Sequence, residues 1–211
     1  AQVSGNWLSL LVRVDSFGAV DTGFGNDGLL LPDLGAITHT ASGVVALEDG
    51  FLVCGSLQDV PQDQSAFVAG FHLDGTLVDT YGTGGLALVA GSAYVGATSI
   101  ALDDAGQAVF CGYSGGFGIQ DPTDVLTGRL LQDGTMDQSF GINGMVFSSV
   151  SEGTDIGYDV ALQPDGRIVV AGQTIEEQGD ILVLRYLSNG CAVFPDVSPS
   201  GLTLCPNRSV R

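Results

Sequence analysis

The sequence contains no lysine, and its six basic residues, all arginine, stand against 24 acidic residues, for a formal net charge of −18. The absence of lysine excludes lysine Schiff bases, P-loop phosphate sites and lysine general bases. So few cations cannot neutralise a phosphate backbone or an anionic bilayer, so we expect no nucleic-acid partner. No apolar run approaches the roughly 18 residues that a bilayer span requires, so we also expect no membrane insertion.

Catalytic residue types and helical patterns are scarce as well. His39 and His72 are the only histidines, and neither an H-E-x-x-H nor a C-x-x-C motif occurs, which argues against a zinc site. Residues 112–116 match G-x-S-x-G and residues 23–28 match G-x-G-x-x-G, but no predicted helix follows either motif. Both histidines also precede Ser114, so we expect neither a nucleophile elbow nor a dinucleotide loop. The sequence predicts that the protein is not an enzyme.

What the sequence does have is an internal repeat. One motif contains a turn glycine and ends in aromatic-Gly-x-x-Gly, and its fourth copy breaks off early. The aligned turn glycines are spaced 57, 59 and 56 residues apart: Gly18, Gly75, Gly134 and Gly190. A second motif, with an Ala-Leu start and a glycine end, runs in phase with the first at residues 46–55, 101–112 and 161–172. Both motifs therefore belong to one unit of about 57 residues.

Each unit has the pattern of β-strands separated by turns. Asp-Gly between two apolar runs is a strong hairpin signal. The alternation in residues 181–186 predicts a half-buried strand, and the apolar run at 168–171 predicts a buried one. We therefore expect an all-β, propeller-like repeat of four-stranded antiparallel blades, with about three units.

These units divide the chain. The expected repeat domain covers residues 1–190, and residues 191–211 form a C-terminal tail bracketed by cysteines. Within the domain we expect a partial unit at 8–34, two whole units at 35–91 and 92–150, and a partial unit at 151–190.

Residues 163–172, taken together with residues 133–144, resemble the delta-60 repeat. The resemblance covers residues 8 to about 190. It departs from the pattern at Val78, which stands where the other copies have aspartate, and in the copy at residues 46–55, which is two residues short. The resemblance implies a propeller-like fold, an extracellular setting in large secreted bacterial proteins, and no catalytic residues.

The first and last units are incomplete by this pattern. The chain begins near the third strand of a unit, at residues 7–14, and ends its repeats after the third strand of another, at residues 181–187. Closed propellers have four or more blades, and exposed strand edges are usually covered or used. Either the sequence is a piece of a longer protein, or its ends pair with neighbouring chains to give an oligomer or a filament.

The four cysteines divide into two kinds. Cys191 and Cys205 bracket a segment outside the repeats, and we expect a disulfide between them, worth about 3 kcal/mol by loop entropy. Cys54 and Cys111 occupy one repeat position, where the next unit has Ala171. This exchange with alanine predicts small buried side chains rather than a bond.

Pairs of acidic residues surround three of the turns: Asp15 with Asp21, Asp74 with Asp79, and Asp133 with Asp137. Oxygen ligands at turns suit Ca²⁺, but aspartate also bonds the N–H groups of its own turn. We expect the turn bonds and no cofactor, with Ca²⁺ as the alternative.

Phe24, Tyr81 and Phe140 recur at one repeat position. Such rings could form a sugar platform, but regular recurrence is also what packing between units requires, and we expect packing. The loops at residues 58–64 and 115–124 differ between units and are better candidates for a binding face.

The sequence thus predicts a secreted or cell-surface structural or adhesive module. The expected partners are other copies of the chain or other surface proteins. The alternative is a carbohydrate-binding propeller with glycans as ligands.

Overall fold

The computed structural model describes residues 2–3, 6–60, 63–89, 94–116, 121–176, 178–193 and 203–204. All regular secondary structure in these residues is β-strand. Among them no helix is long and apolar enough to cross a membrane. The strands are β1 (Gln2–Val3), β2 (Asn6–Trp7), β3 (Leu11–Val12), β4 (Leu29–Leu30), β5 (Thr38–Ala46), β6 (Gly50–Val60), β7 (Asp63–His72), β8 (Leu86–Val89), β9 (Tyr94–Leu102), β10 (Ala108–Gly115), β11 (Thr123–Leu130), β12 (Met145–Ser148), β13 (Thr154–Leu162), β14 (Ile168–Ile175), β15 (Gly179–Tyr186), β16 (Ala192–Val193) and β17 (Thr203–Leu204).

Two complete four-stranded antiparallel units lie in the middle of the chain. Strands β5 to β8 pair in chain order, and so do β9 to β12. Strands β13, β14 and β15 repeat the first three strands of a unit, whereas β3 and β4 pair as a third and fourth strand. We call these groups unit 1 (β3–β4), unit 2 (β5–β8), unit 3 (β9–β12) and unit 4 (β13–β15). The predicted all-β repeat of four-stranded blades is confirmed.

Successive units join through single parallel pairings at the start of their strands. Gln64 of β7 pairs with Tyr94 of β9, and Thr123 of β11 pairs with Thr154 of β13. Strands β5 to β17 therefore form one thirteen-stranded sheet, which curls into a half-barrel. This curl places the faces of neighbouring units against each other.

The glycine that ends the second sequence motif is fixed by backbone contact. The first strand of each complete unit and of unit 4 bulges where it passes this glycine on the second strand. A Cβ added at Gly112 would lie 1.9 Å from the Gly96 carbonyl oxygen, and one at Gly55 or Gly172 would meet a first-strand carbonyl as closely. Only glycine allows the two strands to approach there.

The hydrophobic core lies between units rather than within them. Three clusters of buried side chains occupy the junctions between units 1 and 2, 2 and 3, and 3 and 4. The second cluster, for example, joins Cys54 and Val68 of unit 2 to Ile100 and Phe110 of unit 3. A unit therefore buries its faces only by stacking on its neighbours, as expected for a repeat protein.

The structure adds short elements that the sequence did not predict. Strands β1 and β2 form a two-residue hairpin, and β16 pairs with both β15 and β17. Two-residue strands show no alternation, so the hydrophobic pattern could not reveal them.

Candidate functional site

The acidic turns bond their own backbone. Asp74 Oδ1 accepts hydrogen bonds from the Thr76 N–H at 2.9 Å and the Thr76 hydroxyl at 2.7 Å, and Asp133 accepts the same pair from Thr135 at 2.9 and 2.6 Å. These bonds hold the pKa of Asp74 and of Asp133 below the usual value. Within the described ranges, no three His, Cys, Asp or Glu side chains are placed to hold a metal ion. Turn bonding accounts for the position of the Asp74 and Asp133 carboxylates, and the expected lack of a cofactor stays a prediction.

The recurring aromatic residues fill the junctions. Phe24, Tyr81 and Phe140 are buried, and each ring lies against the turn glycine of the next unit. A Cβ added to that glycine would lie 3.0 Å from Phe24 at Gly75, 2.9 Å from Tyr81 at Gly134 and 3.1 Å from Phe140 at Gly190. The rings are plugs between units, and their burial makes them unavailable as a sugar platform.

A backbone hydrogen bond accompanies each plug. The glycine after the aromatic residue donates its N–H to a carbonyl in the next unit's turn: Gly25 to Asp74 at 3.1 Å, Gly82 to Asp133 at 2.7 Å and Gly141 to Asn189 at 3.0 Å. The same bond thus closes all three junctions. It explains why the two halves of the first sequence motif recur together.

Two of the three junctions add an arginine clasp. Arg129 Nε donates to Asp137 Oδ2 at 2.7 Å, its guanidinium lies 5.0 Å from the Phe140 ring centroid, and its Nη1 donates to the Ser188 carbonyl of unit 4 at 2.6 Å. Burial raises the pKa of Asp137, but hydrogen bonds from Ser139 and Arg129 outweigh burial and lower it. One side chain therefore joins its own turn, its plug and the next unit.

The same clasp occurs at the first junction. Arg13 pairs with Asp21 at 2.9 Å, lies 5.1 Å from the Phe24 centroid, and donates to the Leu73 carbonyl of unit 2. Unit 2 lacks both partners, since Gly70 and Val78 stand in their places. The Tyr81 ring lies against Gly70, at 3.0 Å from where a Cβ would be. The departure at Val78 is thus one half of a paired replacement.

A buried carboxylate orders the connection from unit 3 to unit 4. Asp155 is fully buried and accepts hydrogen bonds from the Val150 N–H at 2.6 Å, the Ser151 N–H at 2.9 Å and the Ser151 hydroxyl at 2.9 Å. Burial alone would raise the pKa of Asp155, but the hydrogen bonds it accepts lower it overall. The repeat pattern does not reveal this residue, because its equivalents in the other units are His39 and Val95.

His39 is also buried, and it holds the chain that leads into unit 1. Its Nδ1 accepts a hydrogen bond from the Ser9 N–H at 3.2 Å and lies 3.0 Å from the Ser9 hydroxyl. Burial lowers the pKa of His39, opposed by the charge of Asp33. The Ser9 hydroxyl donates to the His39 carbonyl, so its proton is committed to the backbone.

The segments that match G-x-S-x-G (residues 112–116) and G-x-G-x-x-G (residues 23–28) lie in settings that do not suit a nucleophile elbow or a dinucleotide loop. Ser114 is buried within β10, and the next element among the described residues is the strand β11. Residues 23–28 form the turn that precedes β4, and this turn contains the first plug, Phe24.

The cysteines at the shared repeat position are buried. Cys54 and Cys111 are free thiols, and burial raises the pKa of each to about 12. Cys191 is buried, whereas Cys205 lies outside the described residues, so the disulfide stays a prediction. Ala192, which follows Cys191, pairs with Leu204, which precedes Cys205.

One pair of aromatic rings lies near the loops that differ between units. The Tyr94 and Tyr113 rings stack with centroids 6.0 Å apart, and both side chains are partly exposed. Gln64 of unit 2 donates to the Tyr113 hydroxyl at 2.8 Å and to the Val95 carbonyl at 3.2 Å. Of the predicted binding loops, residues 61–62 and 117–120 lie outside the described residues.

Comparison with known families gives one short match. The family described as "Domain of unknown function (DUF5122) beta-propeller" matches residues 163–190. This range begins in the turn after β13 and contains β14 and β15. The chain contains a propeller-type β repeat. This match agrees with the four-stranded units and the curled sheet, whereas membership of the delta-60 family stays a prediction. No curated protein matches the chain.

Proposed function

We propose that this propeller-type repeat is a structural or adhesive module of a secreted or cell-surface bacterial protein and that it acts without catalysis. The observation behind this proposal is that the polar side chains of the chain form hydrogen bonds and ion pairs that hold the repeat together. The turn aspartates, the arginine clasps and Asp155 all bond within or between units and build the junctions. Such a chain offers its partners a shaped, acidic surface.

The setting is tested by labelling cells of the source organism with antibodies raised against the purified protein. We expect labelling of intact cells or recovery of the chain from the medium. Labelling that appears only after the cells are permeabilised would contradict a surface role. Binding of intact cells to the immobilised protein, compared with an immobilised control protein of equal negative charge, tests adhesion separately.

A carbohydrate-binding propeller is the second candidate, and the Tyr94–Tyr113 pair favours it. Stacked, partly exposed rings beside an amide side chain are suited to a sugar face. A glycan array tests this candidate with Tyr94→Ala, and Tyr158→Ala, half exposed elsewhere, serves as the control. Hits lost only in Tyr94→Ala would support a lectin, whereas an array without hits would oppose it.

A further inference from the structure

The third strand of every unit has two faces. Alternate side chains point toward the preceding unit and toward the following one, because successive residues of a strand lie on opposite sides of the sheet. The face toward the following unit includes Ala66 and Val68 in unit 2 and Val125 and Thr127 in unit 3, all fully buried. Every internal junction therefore covers this face.

In unit 4 the described residues leave the same face open. Ile181 and Val183 stand at the equivalent positions of β15 and are 90% and 62% exposed. Ala171, the neighbour of Val183 on β14, is exposed too, whereas its equivalent Cys111 is fully buried. We call Ala171, Ile181, Val183 and Arg185 the trailing face.

In unit 1 no described part of the chain covers the opposite face. Leu10, Val12 and Val14 are 44%, 49% and 56% exposed and lie where the other units have side chains buried against the unit before them. Those buried equivalents include Phe67 and Phe71 in unit 2, Leu126 and Leu130 in unit 3, and Leu182, Leu184 and Tyr186 in unit 4. We call Leu10, Val12 and Val14 the leading face.

We propose that the trailing face of one chain binds the leading face of a second copy. This inference rests on the proposed structural role and names the partner for it. The trailing and leading faces are the two halves of the junction that already occurs inside the chain, so the contact continues an interface whose residue types are shown. Heterologous contacts of this kind join subunits head to tail.

One polar part of the junction, the clasp arginine, is also in place. Arg185 occupies the clasp position of Arg13 and Arg129 and is exposed. Its counterparts donate to a turn carbonyl of the next unit, and the equivalent carbonyl of unit 1 is that of Ser16. Gly18 in that turn has nothing within 4 Å of its Cβ position, whereas the equivalent glycines lie against a plug. Arg185 of one copy therefore has an acceptor on the next.

The curl of the sheet sets the size of the assembly. Because the β5–β17 sheet of one chain curls into a half-barrel, we expect two chains joined at both ends to close into a ring. Such a ring contains four units from each copy, two of them incomplete, and propellers typically contain about four to eight blades. The inference is thus a head-to-tail dimer rather than a filament.

Native mass spectrometry and sedimentation of the whole chain test this dimer. The wild type should give twice the chain mass of 21.6 kDa. Ile181→Asp with Val183→Asp, or Val12→Asp alone, should give the monomer. Leu88→Asp, which changes a 53% exposed residue on the outer strand β8, should remain dimeric. Circular dichroism and thermal unfolding check that each variant folds.

Mixing supplies the sharper measurement. The Ile181→Asp, Val183→Asp chain keeps its leading face, and the Val12→Asp chain keeps its trailing face, so one contact can form between them. We expect two monomeric variants that form a one-to-one complex when mixed. Contacts of standard size are populated at about 100 µM, so a wild type that is still monomeric at that concentration overturns the proposal. Dimers that persist in both variants overturn it too, and so does an open-ended series of masses. Surface labelling does not depend on these results, so the two proposals fail separately.

Discussion

The arginine clasp allows one position of the repeat to be tested in two environments. The Arg129–Asp137 pair is buried, with side chains 11% and 8% exposed, whereas the Arg13–Asp21 pair is 35% and 36% exposed. We compare Asp137→Asn with Asp21→Asn. Asparagine keeps the oxygen that accepts the turn N–H, from Ser139 or from Gly23. It replaces the oxygen that accepts from arginine with an N–H₂ donor, so both the charge and the hydrogen bond to arginine are lost.

The burial of the two pairs determines the expected magnitudes. Removing one partner of a buried pair leaves an uncompensated charge and costs about 3 to 5 kcal/mol. An exposed pair contributes about 0 to 1 kcal/mol because water screens it. The free energy of unfolding should therefore fall by at least about 2 kcal/mol more in Asp137→Asn than in Asp21→Asn.

Urea unfolding followed by circular dichroism measures the difference, and equal slopes for all variants show that the same surface unfolds. The double variant Arg129→Met, Asp137→Val removes both charges, as Gly70 and Val78 do in unit 2. It should be more stable than Asp137→Val alone, because no buried charge is left unpaired. Equal losses at Asp137 and Asp21, or a double variant less stable than Asp137→Val, would refute the reasoning.

Three further predictions concern buried groups and turns. Cys54 and Cys111, with pKa values of about 12, should resist iodoacetamide at pH 8 and react once urea unfolds the chain, as intact mass would show; rapid labelling of the folded protein contradicts their burial. Because burial lowers the pKa of His39, the unfolded chain binds a proton that the folded chain excludes, so the stability of the wild type falls as the pH drops below about 6.5. If His39→Gln melts at a lower temperature than the wild type at pH 7.5, the gap between the two melting temperatures should be smaller at pH 5, because glutamine does not titrate. Gly134→Ala should lower the melting temperature more than Gly84→Ala. Both glycines have positive φ, but only a Cβ at Gly134 meets the backbone, at 2.6 Å from the Gly82 nitrogen. Equal effects would show that the junction tolerates the methyl group.

The strand pattern of the fold could be predicted because a repeat shows each feature several times. The Asp-Gly turns, the in-phase glycine at Gly112 and the aromatic at Phe140 all mark backbone conformations or contacts that few residue types permit. The predicted half-buried strand at residues 181–186 is confirmed by its alternating burial. The run at 168–171, predicted to be buried, is buried only at Ile168 and Val170, because Val169 is partly exposed and Ala171 lies exposed on the trailing face.

The candidate site was harder to predict because its contacts join distant residues. Arg129 meets the Ser188 carbonyl 59 residues away, and Ser9 meets His39 across 30 residues. One signal was present in the sequence for the clasp. Arg and Asp recur eight residues apart at Arg129 and Asp137 as at the first junction, and both are replaced together in unit 2. Asp155 gave no such signal, since it occurs in one unit only.

The position of the clasps follows from what each junction has to bury. The junction between units 2 and 3 joins two complete four-stranded blades. It packs Tyr81 on Gly70, and its described residues form no ion pair. The other two junctions each include an incomplete unit, and both have an arginine clasp. An incomplete blade offers less apolar area to its neighbour, so directed bonds contribute more of its orientation. At unit 1, which presents the leading face, the clasp is also the more exposed one, so water screens this pair and it contributes less to its junction.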